Sequence, residues 1–182
     1  MALAVALALT SCVGVTDRED FDALVDERGG GLSDDLVPDA LGAVGDRHGT
    51  DAGDLDLLQI SVNPGDGVVV MTVRDPGTPG NVDRFVYRTR GGLDPPEPVQ
   101  VSITDDLDAQ SFRVADTPAL ALGEEMADAA FAELGFDGPH VESVTASRSG
   151  GEVRFQMTVE SDRARGQATF AADGTLVEAA RQ

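Results

Sequence analysis

Glu152-Val153-Arg154-Phe155-Gln156-Met157-Thr158-Val159-Glu160 switches between polar and apolar at every step. Successive side chains of a strand point to opposite faces, so Val153, Phe155, Met157 and Val159 share one side. Arg154, Gln156, Thr158 and Glu160 share the other. One apolar and one polar face describe an antiparallel sheet that is covered on one side only. The cover lies just upstream, where Leu120, Leu122, Met126, Ala130, Phe131 and Leu134 recur at helical spacing. This run follows Thr117-Pro118, an N-cap and first-turn pair, and stops at Gly135. The pattern predicts a helix over 119–134 and strands over 141–146, 152–160 and 165–171. Asp173-Gly174 then makes a hairpin turn into a strand over 175–179.

The same order is present in the first half. Leu36, Val37, Ala40, Leu41 and Val44 give a helix over 33–48, with Pro38 in its first turn and Gly49 as its C-terminal cap. Strands are predicted over 57–62, 68–74 and 84–90. The Asn63-Pro64-Gly65-Asp66-Gly67 turn and a Pro/Gly loop over 75–80 separate them. Pro95, Pro96 and Pro98 break the chain before an edge strand over 99–103. Gly49 and Gly135 lie 86 positions apart, as do Met71-Thr72-Val73 and Met157-Thr158-Val159. Tyr87, Gly91 and Leu93 match Phe170, Gly174 and Leu176 at a spacing of 83, as a shorter loop in the second half would produce. The expected fold is therefore α+β. It has two tandem repeats, residues 32–103 and 104–182, each a helix on one face of a three- to four-stranded antiparallel sheet.

Ahead of the repeats the chain opens with an apolar run, Ala2 to Leu9, followed by Thr10, Ser11 and Cys12. Leu9-Thr10-Ser11-Cys12 resembles the lipobox of bacterial lipoproteins, in which two small residues precede the cysteine that is acylated. That resemblance implies a signal peptide over 1–11, cleavage before Cys12 and acyl chains such as palmitate on Cys12. Two or more chains give stable anchoring where a single one is marginal. A spanning helix is the competing reading, but the apolar stretch through Val15 would reach only about 20 Å, against a hydrocarbon core of ~30 Å. No Lys or Arg precedes the apolar run, which a start codon placed too far downstream would explain. Residues 12–31 are expected to form a lipidated tether and a short helix over 17–28. Its capping box is Thr16-Asp17-Arg18-Glu19, and a hinge follows at Gly29 to Gly31.

A lipidated leader followed by two helix-plus-meander units looks like extracytoplasmic PepSY-like lipoproteins. It is also similar to the tandem repeats of beta-lactamase inhibitory protein. Phe170 ahead of Asp173-Gly174-Thr175-Leu176 is compatible with the final PepSY hairpin, and the likeness extends over about 32–180. The resemblance implies a protein that binds or inhibits other proteins, often secreted peptidases. It carries over no inhibitory residue.

Thirty-three acidic and thirteen basic residues give a formal net charge of -20, and every basic residue is Arg. Such a chain repels phosphate backbones, so nucleic acid is not an expected partner. With Cys12 as the one cysteine, no intramolecular disulfide or thiol-based zinc site can form. His48 and His140 have no partner at ligand or catalytic spacing. Ser33, Ser61, Ser143 and Ser147 lack a nucleophile-elbow glycine pattern. The acidic run Asp105/Asp106/Asp108 fails as a calcium loop, because the sixth and twelfth places from Asp106 hold Ser111 and Thr117. No cofactor, metal site or catalytic residue is expected, and the chain reads as non-enzymatic.

One asymmetry between the halves suggests a binding surface. If Met71 faces the core, Val68, Val70 and Thr72 face outward, and the next strand adds Arg84, Val86 and Arg88. In the second half the corresponding positions are polar. An apolar strip edged by arginine on an acidic protein is a candidate partner-binding face, unless it packs internally. The expectation is a lipoprotein at the outer face of the cell membrane that binds an unidentified envelope or secreted protein as inhibitor or accessory factor. The alternative is a cell-envelope lipid carrier, which needs one continuous curved sheet around a large apolar cavity.

Overall fold

The helix expected over 33–48 forms as α1, Leu36–His48, in a computed structural model that describes residues 32–182. Leu36, Val37, Ala40, Leu41 and Val44 are buried, as the spacing required. The helix stops at Gly49, whose φ of 67° lies in the left-handed region where a side chain would be strained. Arg47 and His48 occupy the last turn, where positive charge suits the helix dipole.

The sheet begins with β1 (Asp56–Asn63), β2 (Val68–Arg74) and β3 (Val82–Arg88). Two short strands, β4 (Gly92–Leu93) and β5 (Glu97–Val99), both pair with β3. The connector between the halves carries a single turn, α2 (Leu107–Gln110), and a short strand, β6 (Phe112–Arg113), that pairs with β1. Helix α3 (Gly123–Leu134) and four strands complete the chain: β7 (His140–Ser149), β8 (Glu152–Ser161), β9 (Ala164–Ala171) and β10 (Leu176–Arg181). The architecture is α+β.

Where two separate sheets were expected, the strands join in one ten-stranded sheet of order β10-β9-β8-β7-β1-β2-β3-β4. The join is an antiparallel pairing of β1 with β7, with Ile60 opposite Ala146 and Val62 opposite Val144. Kept apart, β1 and β7 would each expose a row of unpaired N–H and C=O groups; pairing removes both edges. Ser61 and Thr145, opposite each other at this seam, also bring their hydroxyls within 3.2 Å. Helix α1 lies over β2 and β3, and α3 over β9 and β10. One apolar cluster runs beneath both, with Met71 and Met157 fully buried in it.

The helix expected from residue 119 starts later than its apolar pattern. Pro118–Ala121 is a 3₁₀ turn, and the α-helix begins only at Gly123. Thr117 does not cap it; its hydroxyl donates to the Arg113 carbonyl at 2.9 Å. The cap is instead Asp34, whose Oδ1 accepts from the Glu124 N–H at 2.9 Å. At the other end, Gly135 takes the left-handed conformation and Arg181 donates to the Leu134 and Gly135 carbonyls. Both ends of α3 are thus finished by residues distant in sequence.

The candidate binding face and its surroundings

In β2 burial alternates at every residue, with Val69, Met71 and Val73 fully buried. Val68, Val70 and Thr72 therefore stand on the opposite side of the sheet, and none of them is buried. The register with β3 sets Val70 opposite Val86, Thr72 opposite Arg84 and Val68 opposite Arg88. All six candidate residues thus form three adjacent cross-strand pairs on one face. Tyr87 turns the other way and packs against the core. Across the seam the row through Val70 continues as Ser61, Thr145 and Gln156, so apolar character ends where β1 begins.

The arginines at the rim are not free charges. Arg84 Nη1 lies 3.1 Å from Glu97 Oε2, and Arg88 Nε lies 3.4 Å from Asp94 Oδ2. Both pairs are largely exposed, so each holds its guanidinium in place and adds little stability, about 0–1 kcal/mol. They lock β3 to the residues around β4 and β5 and leave the Val70–Val86 pair as the apolar centre of the face.

Cys12, the leader over 1–11, the helix over 17–28 and its glycine hinge lie outside the described residues. Among the described residues no helix is long and apolar enough to cross a membrane. No group of three or more His, Cys, Asp or Glu side chains in them could hold a metal ion. His48 packs edge-on against Phe85, ring centroids 5.6 Å apart, and His140 is exposed at the start of β7. The acidic run of the connector works locally. Asp105 accepts from the Ser102 N–H, Asp106 caps α2 through the Ala109 N–H, and Asp108 pairs with Arg74 at 2.7 Å. Asp173 accepts from the Thr175 backbone N–H at 2.9 Å. That bond, with help from the Thr175 hydroxyl, holds its carboxyl below the usual 3.8.

Between the helices and the sheet is an apolar cavity of about 20 Å³, lined by Val37, Ile60, Leu120, Met126 and Phe155 among others. That is room for roughly one water molecule. A wider cleft opens at the far end of β7 beside Phe112 and Arg148. Sequence reasoning missed Arg148 because the strand predicted there stopped at residue 146. Had the alternation Val144, Ala146 been continued by one step, it would have placed an arginine on the apolar side of the sheet.

No family model matches this chain. No curated protein matches it either. The fold is similar to that of a candidate lipoprotein from Clostridium difficile 630, at 12% identity and a TM-score of 0.51, covering 80% of this chain and 91% of that one. A DUF2874 family protein from Bacteroides ovatus ATCC 8483 matches at 12% identity and a TM-score of 0.28, covering 79% and 85%. A candidate periplasmic protein from Bacteroides eggerthii DSM 20697 matches at 16% identity and a TM-score of 0.26, covering 79% and 88%. The first likeness is one of fold; the other two are too loose to support an argument.

Proposed function

We propose that this chain is an extracytoplasmic lipoprotein, anchored at the outer face of the cell membrane through acylated Cys12, that binds an envelope or secreted protein without catalysing a reaction. The binding surface is the face of β2 and β3 that carries Val68, Val70, Thr72, Arg84, Val86 and Arg88. The observation that carries the binding reading is the Val70–Val86 pair, side by side on the side of the sheet away from α1 and framed by salt-bridged arginines. Interfaces gather apolar and arginine side chains in this way, at the expense of acidic ones. The anchor rests on the Leu9-Thr10-Ser11-Cys12 sequence, and the lipoprotein description of the fold neighbour agrees with it.

The architecture is read as a duplication of the PepSY-like or beta-lactamase-inhibitory-protein-like kind. Three observations support this reading. Helices α1 and α3 both end at a left-handed glycine. Met71 and Met157 hold equivalent buried positions. The leading strands of the halves, β1 and β7, pair with each other. The lipid-carrier alternative has one of its two requirements, a continuous sheet. Against the other, a large apolar interior, stands the cavity beneath the helices, which at about 20 Å³ would not admit an acyl chain.

Two measurements test the proposal. Mass spectrometry of the mature protein is expected to find an acylated N-terminal Cys12. Cys12→Ser is expected to move the protein from the detergent to the aqueous phase; an aqueous parent protein, or an N-terminus upstream of Cys12, refutes the anchor. Crosslinking on intact cells is expected to capture a partner that Val70→Asp loses while keeping its unfolding midpoint. Capture that survives Val70→Asp refutes the binding face.

A further inference from the structure

Past Ala146 the alternation of β7 brings Arg148 to the apolar side of the sheet, opposite buried Val153 of β8. There Arg148 lines a cleft of about 540 Å³ between the connector and the turn after β9. That volume is within the range of small-molecule sites, roughly 300–1,000 Å³. Arg148 is half-buried, and its Nε is shut off from solvent with no hydrogen-bond partner. The rest of its guanidinium reaches the cleft and meets no carboxylate there, which sets Arg148 apart in a chain so rich in acidic side chains.

The neighbouring arginines are engaged: Arg154 with Glu152, and Arg113 with Asp54 and Asp56 at 3.6 Å each. Arg47, Arg90 and Arg163, which form no ion pair among the described residues, are exposed to water. Among the described arginines, Arg148 alone is half-buried with no ion pair. Phe112 and Val153 give its cleft an apolar wall, and the exposed carboxylates of Asp116 and Asp173 stand at the rim.

We propose that this cleft binds a zwitterion of the amino-acid class, with its carboxylate on Arg148 and its ammonium group toward Asp116 and Asp173. The charges choose the class. A simple anion such as phosphate would meet the carboxylates of Asp116 and Asp173 on a protein of net charge -20. A simple cation would leave Arg148 unanswered. A free amino acid and a peptide with free ends share the required chemistry. The cleft is on the helix-bearing side of the sheet, so this site stands or falls apart from the β2–β3 face.

Calorimetry on the full-length protein tests the site with glycine, leucine, trialanine, trialanine amide, N-acetyl-trialanine and inorganic phosphate. Binding of a free amino acid or of trialanine is expected, with phosphate silent. A response to the amino acids alone identifies a free amino acid as the source, and a response to trialanine alone identifies a peptide. For trialanine, amidation or acetylation is expected to weaken binding by about tenfold or more. For a free amino acid, its amide and its N-acetyl form are expected to do the same. Arg148→Gln is expected to abolish binding without lowering the unfolding midpoint. Should that variant fold poorly, the blocked compounds decide the matter on the unmodified protein. No heat with any amino acid or peptide, or equal binding of free and amidated forms, overturns the proposal. So does phosphate binding as tightly as the zwitterions.

Discussion

Replacing Gly166 by alanine tests whether α3 truly presses on the second half of the sheet. Gly166 lies in β9 between Val159 of β8 and Arg181 of β10. A Cβ there would stand 2.9 Å from Leu134 Cδ2, 3.0 Å from the Ala180 carbonyl oxygen and 3.1 Å from Phe136 Cζ. Leu134 is itself buried, and the Ala180 oxygen is part of the neighbouring strand, so neither can simply step aside. Relief requires the helix or the strand to move by a few tenths of an ångström, and overpacking of this kind costs about 1–3 kcal/mol. In a domain of this size each kcal/mol lowers the melting temperature by roughly 2–4 °C, so a fall of about 2–12 °C is expected. Gly42 in α1 provides the control. A Cβ there meets nothing within 4 Å, and alanine is favoured over glycine inside a helix by about 1 kcal/mol. Urea unfolding followed by circular dichroism is expected to move the midpoint down for Gly166→Ala and up for Gly42→Ala, with unchanged m. If Gly166→Ala unfolds at the parent's midpoint, α3 does not rest on β9 and the layering described for this half is wrong.

Asp34→Ala is expected to cost about 0.5–2 kcal/mol through loss of the α3 cap, with faster amide exchange at the start of α3 and none of this in α1. Arg181→Met removes the donors at the other end of α3 and is expected to cost about 1–2 kcal/mol, adding to Asp34→Ala because the two sites share no partner. Asp173 has its folded pKa lowered by the Thr175 N–H, so its contribution is present above the unfolded value and is lost as pH falls through the folded one. A carboxyl titration by NMR is expected to give a midpoint below 3.8 for Asp173, and Asp173→Asn is expected to remove this part of the acid sensitivity; a midpoint at or above 3.8 refutes the assignment.

What could be read from the sequence divides along physical lines. Period-two alternation is a local property, so β2 and β8 were legible with their inward faces, including Met71 and Met157, and β9 as a strand. Glycine at a left-handed helix end is local too, and Gly49 and Gly135 were found. The start of α3 was not, because its cap is a side chain about ninety positions away and no capping signal precedes Gly123. The β1–β7 seam left no trace either. Pairing two edges changes which backbone groups bond each other, and it leaves the alternation of side chains as it was. For the same reason β6, two residues long, could not be told from a loop. Of the candidate face, its membership followed from alternation, whereas the cross-strand pairs and the Glu97 and Asp94 partners of its arginines depended on strand register and on the path of the chain after β3. Arg148 lay one step beyond a predicted strand end, where a sequence pattern marks the boundary least sharply.

The seam also bears on how copies of this chain could meet. Strand β1 accepts β7 through backbone bonds that would be the same if β7 came from another molecule. What favours the partner on the same chain is only that the connector through α2 and β6 holds it at high local concentration. Shortening that connector until β7 can no longer fold back would leave the halves to find their complements in trans, as an exchanged dimer. By the same logic, separately made polypeptides 32–103 and 104–182 would reassemble when mixed, each alone carrying an adhesive margin. A chain that divides this way offers a natural split point for a reporter whose two pieces report their own encounter.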